Sequence, residues 1–161
     1  MGIPQYGLES NGHGLGLDKK VGKVINCTGG AAVSLSAADS GAMVVISGGA
    51  GTAAACNLPH IEGQDGLEFT FCLVAANGAN DFDIDAKDGV DFFIGSIVSV
   101  EGTNDVCIDF NGSSHDQLTL VASKGAAGDQ IHIMSAGGKW WVKGVTNDQD
   151  GWAVGTDSAN T

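Results

Sequence analysis

The pattern of hydrophobic and polar positions changes character at about residue 24. Beyond that point, short stretches alternate apolar and polar residues with a period of two, and clusters of Gly, Asn, Asp and Ser separate them every 8–12 residues. A regular series of such stretches is typical of a β-sandwich or a β-barrel. The clearest stretch runs from Leu67 to Val74, where Leu67, Phe69, Phe71 and Leu73 fall on one face. It is predicted to be a central strand.

Residues 81–86 and 105–110 repeat this alternation, with aspartates on the polar side. Both are predicted to be half-exposed strands, with Phe82, Ile84 and Ala86 inward in the first. The same reasoning predicts further strands at Val24–Thr28, Val33–Ser36, Ala42–Ser47, Ala53–Leu58, Ser96–Val100, Gln117–Ala122, Gln130–Ser135 and Lys139–Thr146.

Turn residues separate the predicted strands. Asn-Gly, Asp-Gly or Gly-Gly pairs stand at 77–78, 88–89, 111–112, 137–138 and 150–151, and these pairs tolerate the positive φ angles of tight hairpins. One stretch has helical character, Leu35–Ser40, with room for about one turn. The chain is therefore predicted to be all-β, with very little helix and one antiparallel β-sandwich domain, jelly-roll-like, over residues 24–161. A simpler sandwich and a small open barrel fit the same strands.

Residues 1–23 lack any periodicity of two or 3.6 and are rich in glycine. They are predicted to be an extended N-terminal arm, and a frayed terminus is the alternative. An arm of this kind can order on a partner through its apolar and basic side chains. The candidate contact residues are Ile3, Tyr6, Leu8, Leu15, Leu17, Lys19 and Lys20.

Composition and charge exclude several classes of function. The chain has 161 residues and a formal charge of −12, and all seven of its positive charges are lysines. A nucleic-acid partner is not expected, because the chain has no basic face and no arginine for bidentate contacts. No apolar run approaches the length of a membrane span, and the segment MGIPQYGLESNG lacks the features of a secretory signal. We therefore expect a single domain with no nucleic-acid or membrane partner.

The residue types used in catalysis and metal binding occur in unfavourable patterns. Ser113–Asp116 supply the side chains of a catalytic triad, but consecutive residues in a turn cannot converge on one centre. The acidic stretch 81–92 begins like a calcium loop, yet Ala86 and Phe92 occupy positions where such a loop needs Gly and Glu. No catalytic residue, cofactor or metal is predicted. The four cysteines show no CxxC spacing and are predicted to be free thiols.

The tryptophans offer a contact surface. Trp140 and Trp141 are adjacent, so on a strand one points into the core and the other outward. Together with Trp152, they are candidates for subunit contacts or core packing, and a sugar platform is the alternative.

Several motifs, taken together, resemble the cadence of capsid decoration (cement) proteins of tailed phages, which are related to domains of phage tail fibres. These motifs cover much of residues 33–146. They are VSLSAADSG at 33–41, VVIS at 44–47, CNLP at 56–59, GLEFTF at 66–71, AANG at 75–78, GSIV at 95–98 and KWWVKG at 139–144.

The resemblance implies a structural virion protein without catalytic activity. Such a protein is made in the host cytoplasm and binds the outside of the phage head as a homotrimer. There it stabilises contacts between copies of its partner, the major capsid protein. The arm at 1–23 lies outside these motifs, and its slightly basic charge makes it a candidate tether to a neighbouring subunit. An alternative is a tail-fibre or receptor-binding domain that recognises a host surface glycan.

Overall fold

The computed structural model describes residues 22–27, 31–46, 54–101, 107–156 and 159–160. The predicted arm residues Ile3, Tyr6, Leu8, Leu15, Leu17, Lys19 and Lys20 lie outside the described residues. At the described end of that segment, the Lys23 ammonium forms an ion pair with the Asp39 carboxylate. This pair and a hydrogen bond from Ser36 hold the pKa of Asp39 at about 2.

Twelve strands and one short 3-10 helix are described. In chain order the first elements are β1 (Val24–Cys27), β2 (Val33–Ser34), the 3-10 helix (Ala37–Asp39), β3 (Ala42–Ile46), β4 (Ala54–Asn57), β5 (Glu68–Leu73) and β6 (Phe82–Asp85). The remaining elements are β7 (Phe93–Ser99), β8 (Cys107–Asn111), β9 (Gln117–Leu120), β10 (Gln130–Ala136), β11 (Lys139–Thr146) and β12 (Trp152–Gly155). The prediction of a nearly all-β chain is confirmed.

The strands form two sheets. The larger has seven strands in the order β1-β3-β5-β10-β11-β7-β8, and the smaller has five in the order β12-β9-β6-β4-β2. Both sheets are mixed, so the predicted antiparallel architecture is wrong. The pairs β1–β3, β3–β5 and β7–β11 are parallel in the larger sheet, and β2–β4 and β4–β6 are parallel in the smaller.

The connectivity explains the parallel pairs. From β1 to β6 the chain changes sheet after every strand, and it changes again between β8 and β9, between β9 and β10, and between β11 and β12. A strand in one sheet therefore acts as the crossover between two strands of the other sheet, the role that a helix plays in a βαβ unit. Successive strands of one sheet then run in the same direction.

One hydrophobic core lies between the sheets, in a sandwich-like arrangement. The larger sheet contributes Phe69, Ile131 and Trp140, and the smaller contributes Ile84 and Leu118, all without solvent exposure. These side chains occupy every second position of their strands, as the sequence pattern requires. The predicted central strand is confirmed as β5, which lies between β3 and β10.

The structure differs from the sequence-based predictions at three points. β7 starts at Phe93, earlier than the predicted Ser96, and β12 was not predicted. Asp85 was expected to be half-exposed, but it is buried: Gln117 Nε2 donates to its carboxylate and the side-chain amide of Asn160 donates to its backbone carbonyl. The helical turn is confirmed at Ala37–Asp39.

The predicted Gly137-Gly138 turn joins β10 to β11. Both glycines have positive φ, 60° and 70°, and the flanking residues Ala136 and Lys139 are paired. This is the two-residue hairpin geometry that glycine permits without steric cost. It fixes the register between Met134 and Trp141, two residues of the candidate site.

Candidate functional site

The outer face of the seven-stranded sheet carries both apolar and polar side chains. The strand registers align the outward residues of neighbouring strands in rows that cross the sheet. Nine apolar or weakly polar residues point outward there, and we call this surface the apolar face. Its residues are Val24, Met43, Val45, Cys72, Ile94, Val98, Met134, Trp141 and Val145.

This face holds most of the large hydrophobic side chains that water reaches. Among the described residues, six of the nine exposed large hydrophobics belong to it, and the other three are Val74, Val90 and Val100. Trp141 is 48% exposed and Val145 50% exposed. A polar row that includes Thr70, His132, Lys143 and Ser96 runs between the two rows that hold most of these apolar residues. Exposed apolar side chains rimmed by polar residues are typical of interaction sites.

Trp141 lies within one row of this face. Its neighbours across the strands are Met134 on β10 and Ile94 on β7. The indole Nε1 donates a hydrogen bond to the carbonyl oxygen of Ala136 at 3.0 Å. The polar edge of the ring is therefore satisfied within the chain, and the rest of the ring is available for an apolar contact.

The apolar face carries little charge. Its described outward residues include two carboxylates, Glu68 and Asp109, and two lysines, Lys139 and Lys143, so their formal charges cancel apart from His132. The whole chain carries −12. His132 Nε2 lies 3.6 Å from Glu68 Oε2, so part of this charge is locally paired. Another macromolecule can approach this face with less repulsion than elsewhere.

The dimensions of the face match a standard protein interface. Seven strands at about 4.8 Å spacing, crossed by three rows of outward residues about 6.6 Å apart, cover an area of about 700 Å². A stable interface buries about 800 Å² on each partner. The face is therefore large enough to dock one partner.

The three tryptophans divide between core and surface. Trp140 is fully buried and Trp152 is 4% exposed, whereas Trp141 is outward. The prediction that adjacent tryptophans on a strand face opposite ways is confirmed. The core alternative holds for Trp140 and Trp152, so among the three only Trp141 remains available for a contact with another molecule.

The outer face of the five-stranded sheet is polar, and its charged groups bond within the sheet. Thr119 Oγ1 donates to Asp83 Oδ1 at 2.7 Å, and Gln117 Nε2 donates to Asp85 Oδ1 at 3.0 Å. Burial raises the pKa of Asp85, with smaller contributions from the charges of Asp83 and Asp116. We call this surface the polar face, and we define it by Asp83, Asp85, Gln117 and Thr119.

A cleft of about 660 Å³ lies where two connections between the sheets meet, and His60, Glu62, Val90 and Asp91 are among its lining residues. His60 Nδ1 lies 3.0 Å from the buried Asp91 carboxylate, and Ile61 N–H donates to the same oxygen. Asp91 and Glu62 raise the pKa of His60. The described lining has no Ser, Thr or Cys nucleophile, and the His60–Asp91 contact joins the two connections.

The residues Ser113–Asp116 form a turn. Asn111 Oδ1 accepts hydrogen bonds from the backbone N–H groups of Ser113 and Ser114. Asp116 Oδ2 accepts from Gly89 N–H. The predicted hairpin is wrong, because β8 and β9 belong to different sheets, and this segment is instead a connection between the sheets. Its contacts hold the Ser113 and Ser114 backbone and the Asp116 side chain in separate places.

The acidic stretch is used for internal bonding. Asp81 Oδ1 accepts from Ala122 N–H, and Asp83, Asp85 and Asp91 accept from the groups described above. Across the described ranges no group of three or more His, Cys, Asp or Glu side chains is placed to hold a metal ion. Within the same ranges no helix is long and apolar enough to cross a membrane.

Sequence reasoning identified Trp141 but missed its neighbours. Met134 and Val145 are outward residues in strands whose inward positions are already apolar. Apolar residues on both sides of one strand were the available signal.

No family model, curated protein or solved structure matches the chain.

Proposed function

We propose that this protein is a structural component of a tailed-phage virion, a capsid decoration (cement) protein that binds the major capsid protein through the apolar face. The observation that carries the proposal is the exposed apolar face, which has the area of a standard interface and a net charge near zero. The motifs shared with decoration proteins suggest the kind of partner. In this proposal the protein is not an enzyme.

The proposed homotrimer assigns the apolar face to the capsid rather than to a second copy. A face that packs on its own copy makes a two-fold dimer, whereas a trimer joins two different surfaces of each subunit. In the proposed homotrimer, three apolar faces are presented together. Their combined binding is much stronger than that of one face, because each later contact is intramolecular.

The charge of the chain suits the outside of a phage head. A net charge of −12 disfavours contact with packaged nucleic acid, which is itself negative. The N-terminal residues 1–23 serve in this proposal as a tether to a neighbouring capsid subunit. The jelly-roll-like connectivity and the extended arm predicted from the sequence stay part of the proposal.

Co-sedimentation with expanded phage heads that lack the protein tests this function. We expect saturable binding of the wild-type chain and at least about 100-fold weaker binding of Trp141→Glu, because the variant buries a charge at the contact. Ala153→Glu is the matched control, since Ala153 is exposed and outward on β12 of the other sheet. Equal binding of Trp141→Glu and the wild type would contradict the proposal.

The assembly state and the arm are tested separately. Light scattering, with the 16.2 kDa monomer as reference, is expected to give the mass of a trimer. Deletion of residues 1–23 is expected to leave a folded trimer that no longer attaches to heads. A chain that stays monomeric at high concentration would contradict the trimer, and attachment of the truncated chain would contradict the tether.

The glycan-binding alternative is supported by the geometry of Trp141. Its indole ring is exposed on a flat surface and held by the bond to Ala136, a suitable platform for an apolar sugar face. Saturable binding to a host surface polysaccharide that is lost in Trp141→Ala, without binding to heads, would favour this function. Binding to heads without polysaccharide binding would exclude it.

A further inference from the structure

Two buried cysteines face each other from different sheets. Cys27 is the last residue of β1 and is 2% exposed, and Cys56 lies on β4 and is fully buried. Cα atoms of β1 and β4 approach within 8 Å. Since both side chains point into the core, this approach brings the thiols together at one edge of the sandwich.

A hydrogen bond between the two thiols is the largest influence on the pKa of each. It lowers the pKa of Cys27 and, together with burial, raises the pKa of Cys56. Cys27 lies on the edge strand β1, so it is the thiol that an external oxidant reaches first.

Cys72 has a different environment. It lies on the apolar face, on the opposite side of the seven-stranded sheet from the core, and burial raises its pKa. Cys27 and Cys72 are thus separated by the sheet itself. Among the three cysteines whose side chains are described, only Cys27 and Cys56 are placed to react with each other.

We propose that Cys27 and Cys56 are a reversible dithiol–disulfide pair that joins the two sheets when the protein is oxidised. The oxidant is a small-molecule disulfide such as oxidised glutathione. The Cys27 thiolate attacks one sulfur of the oxidant, forms a mixed disulfide and releases one thiolate. Cys56 then loses its proton and attacks the Cys27 sulfur, which forms the protein disulfide and releases the second thiolate.

The reaction is balanced and has a route of access. Two protein thiols are oxidised to one disulfide, and one small-molecule disulfide is reduced to two thiols. β1 is the edge strand of the seven-stranded sheet, and edge strands open locally at lower free energy than the centre of a sheet. Local opening of β1 therefore exposes Cys27 to the oxidant without global unfolding.

The disulfide would stabilise the sandwich at its edge. It closes a loop of about 30 residues and thereby restricts the unfolded chain, which is expected to raise Tm by about 10 °C. In a reducing cytoplasm the pair stays as thiols, and in an oxidising environment it closes. The inference does not depend on the proposed function.

The test compares the full chain after treatment with dithiothreitol or with oxidised glutathione. Remaining thiols are alkylated in denaturant, and intact mass counts them. Cleavage at acidic residues then maps the linkage, because Asp39 separates Cys27 from Cys56, and Glu62 and Glu68 separate Cys56 from Cys72. We expect a linked Cys27–Cys56 peptide pair, two fewer alkylated thiols and the higher Tm.

Two variants sharpen the result. Cys72→Ser is expected to form the same linkage and to show the same rise in Tm, whereas Cys27→Ala is expected to show neither. The wild-type linkage map decides the question even if Cys27→Ala does not fold. Retention of both thiols after oxidation, linkage of either to Cys72 or Cys107, or a disulfide that leaves Tm unchanged would overturn the proposal.

Discussion

The outer face of the seven-stranded sheet leaves apolar side chains in water, whereas the outer face of the five-stranded sheet pairs its polar groups with one another. Trp141 and Met134 on the first contact no core residue of the other sheet, because they lie on the outer side. Asp83 and Thr119 on the second bond to each other. The polar face is complete within the folded chain, and the apolar face is the one whose burial needs another molecule.

The largest expected difference in the free energy of unfolding is between variants of Trp140 and Trp141, which lie on opposite sides of β11. Trp140→Ala is expected to lower the free energy of unfolding by about 4 kcal/mol, because it empties a fully buried site. Trp141→Ala is expected to change it by less than about 0.5 kcal/mol while weakening attachment to heads. Urea unfolding of both variants measures the difference. If the two variants lost similar stability, the Trp141 side chain would already be packed within the monomer, which would contradict its proposed availability for a partner.

The next effect concerns the polar face. Thr119→Val removes the donor to Asp83 and is expected to cost about 1.5 kcal/mol, since a partly buried carboxylate loses its partner. Thr70→Val is the matched control on the outer side of β5, where we expect almost no change. Chemical denaturation of the two variants measures both values. A larger loss for Thr70→Val would reverse the comparison of the two faces.

A smaller effect follows from the buried carboxyl of the polar face. The folded-state pKa of Asp85 is raised, chiefly by burial, so its contribution to stability is greatest below the unfolded pKa and falls as the pH rises through the folded pKa. Asp85→Asn is therefore expected to stabilise the protein at pH 7. Thermal unfolding at pH 7 and pH 3 measures this, and the gain should vanish at pH 3. A variant that is less stable at pH 7 would contradict the argument.

The smallest expected effect is the pH dependence of the contact between His60 and Asp91, which lie in connections between the sheets. The Asp91 carboxylate raises the pKa of His60, so the stability that this pair contributes is complete below the unfolded pKa of histidine and is lost as the pH rises through the higher folded pKa. An NMR titration of the His60 ring is expected to show the raised pKa, and Asp91→Asn is expected to lower it. An unchanged titration in Asp91→Asn would assign the shift to Glu62.

The sequence predicted the strands better than it predicted the sheets. A period of two shows which residues of β5 point inward, but it carries no information on which sheet receives each strand. The parallel pairs therefore could not be foreseen. β12 was missed because Trp152–Gly155 is short, lies among turn residues and ends in glycine, which is uncommon in strands.

The candidate site was predicted only in part. The outward position of Trp141 follows from its adjacency to Trp140, which local pattern alone decides. Its pairing with Met134 follows from the predicted Gly137-Gly138 turn between β10 and β11. Its pairing with Ile94 depends on β7, a parallel strand that is distant in the chain. Asp85 was misjudged for the same reason, since the residues that cover it come from elsewhere in the chain.

The sheet-switching connectivity has a consequence for how the protein folds. The seven-stranded sheet draws its strands from β1 to β11, with strands of the other sheet between them in the chain. Contacts of such long sequence separation form slowly. The apolar face therefore forms only when almost the entire described chain has folded, and a partly folded chain would not present it to the proposed partner.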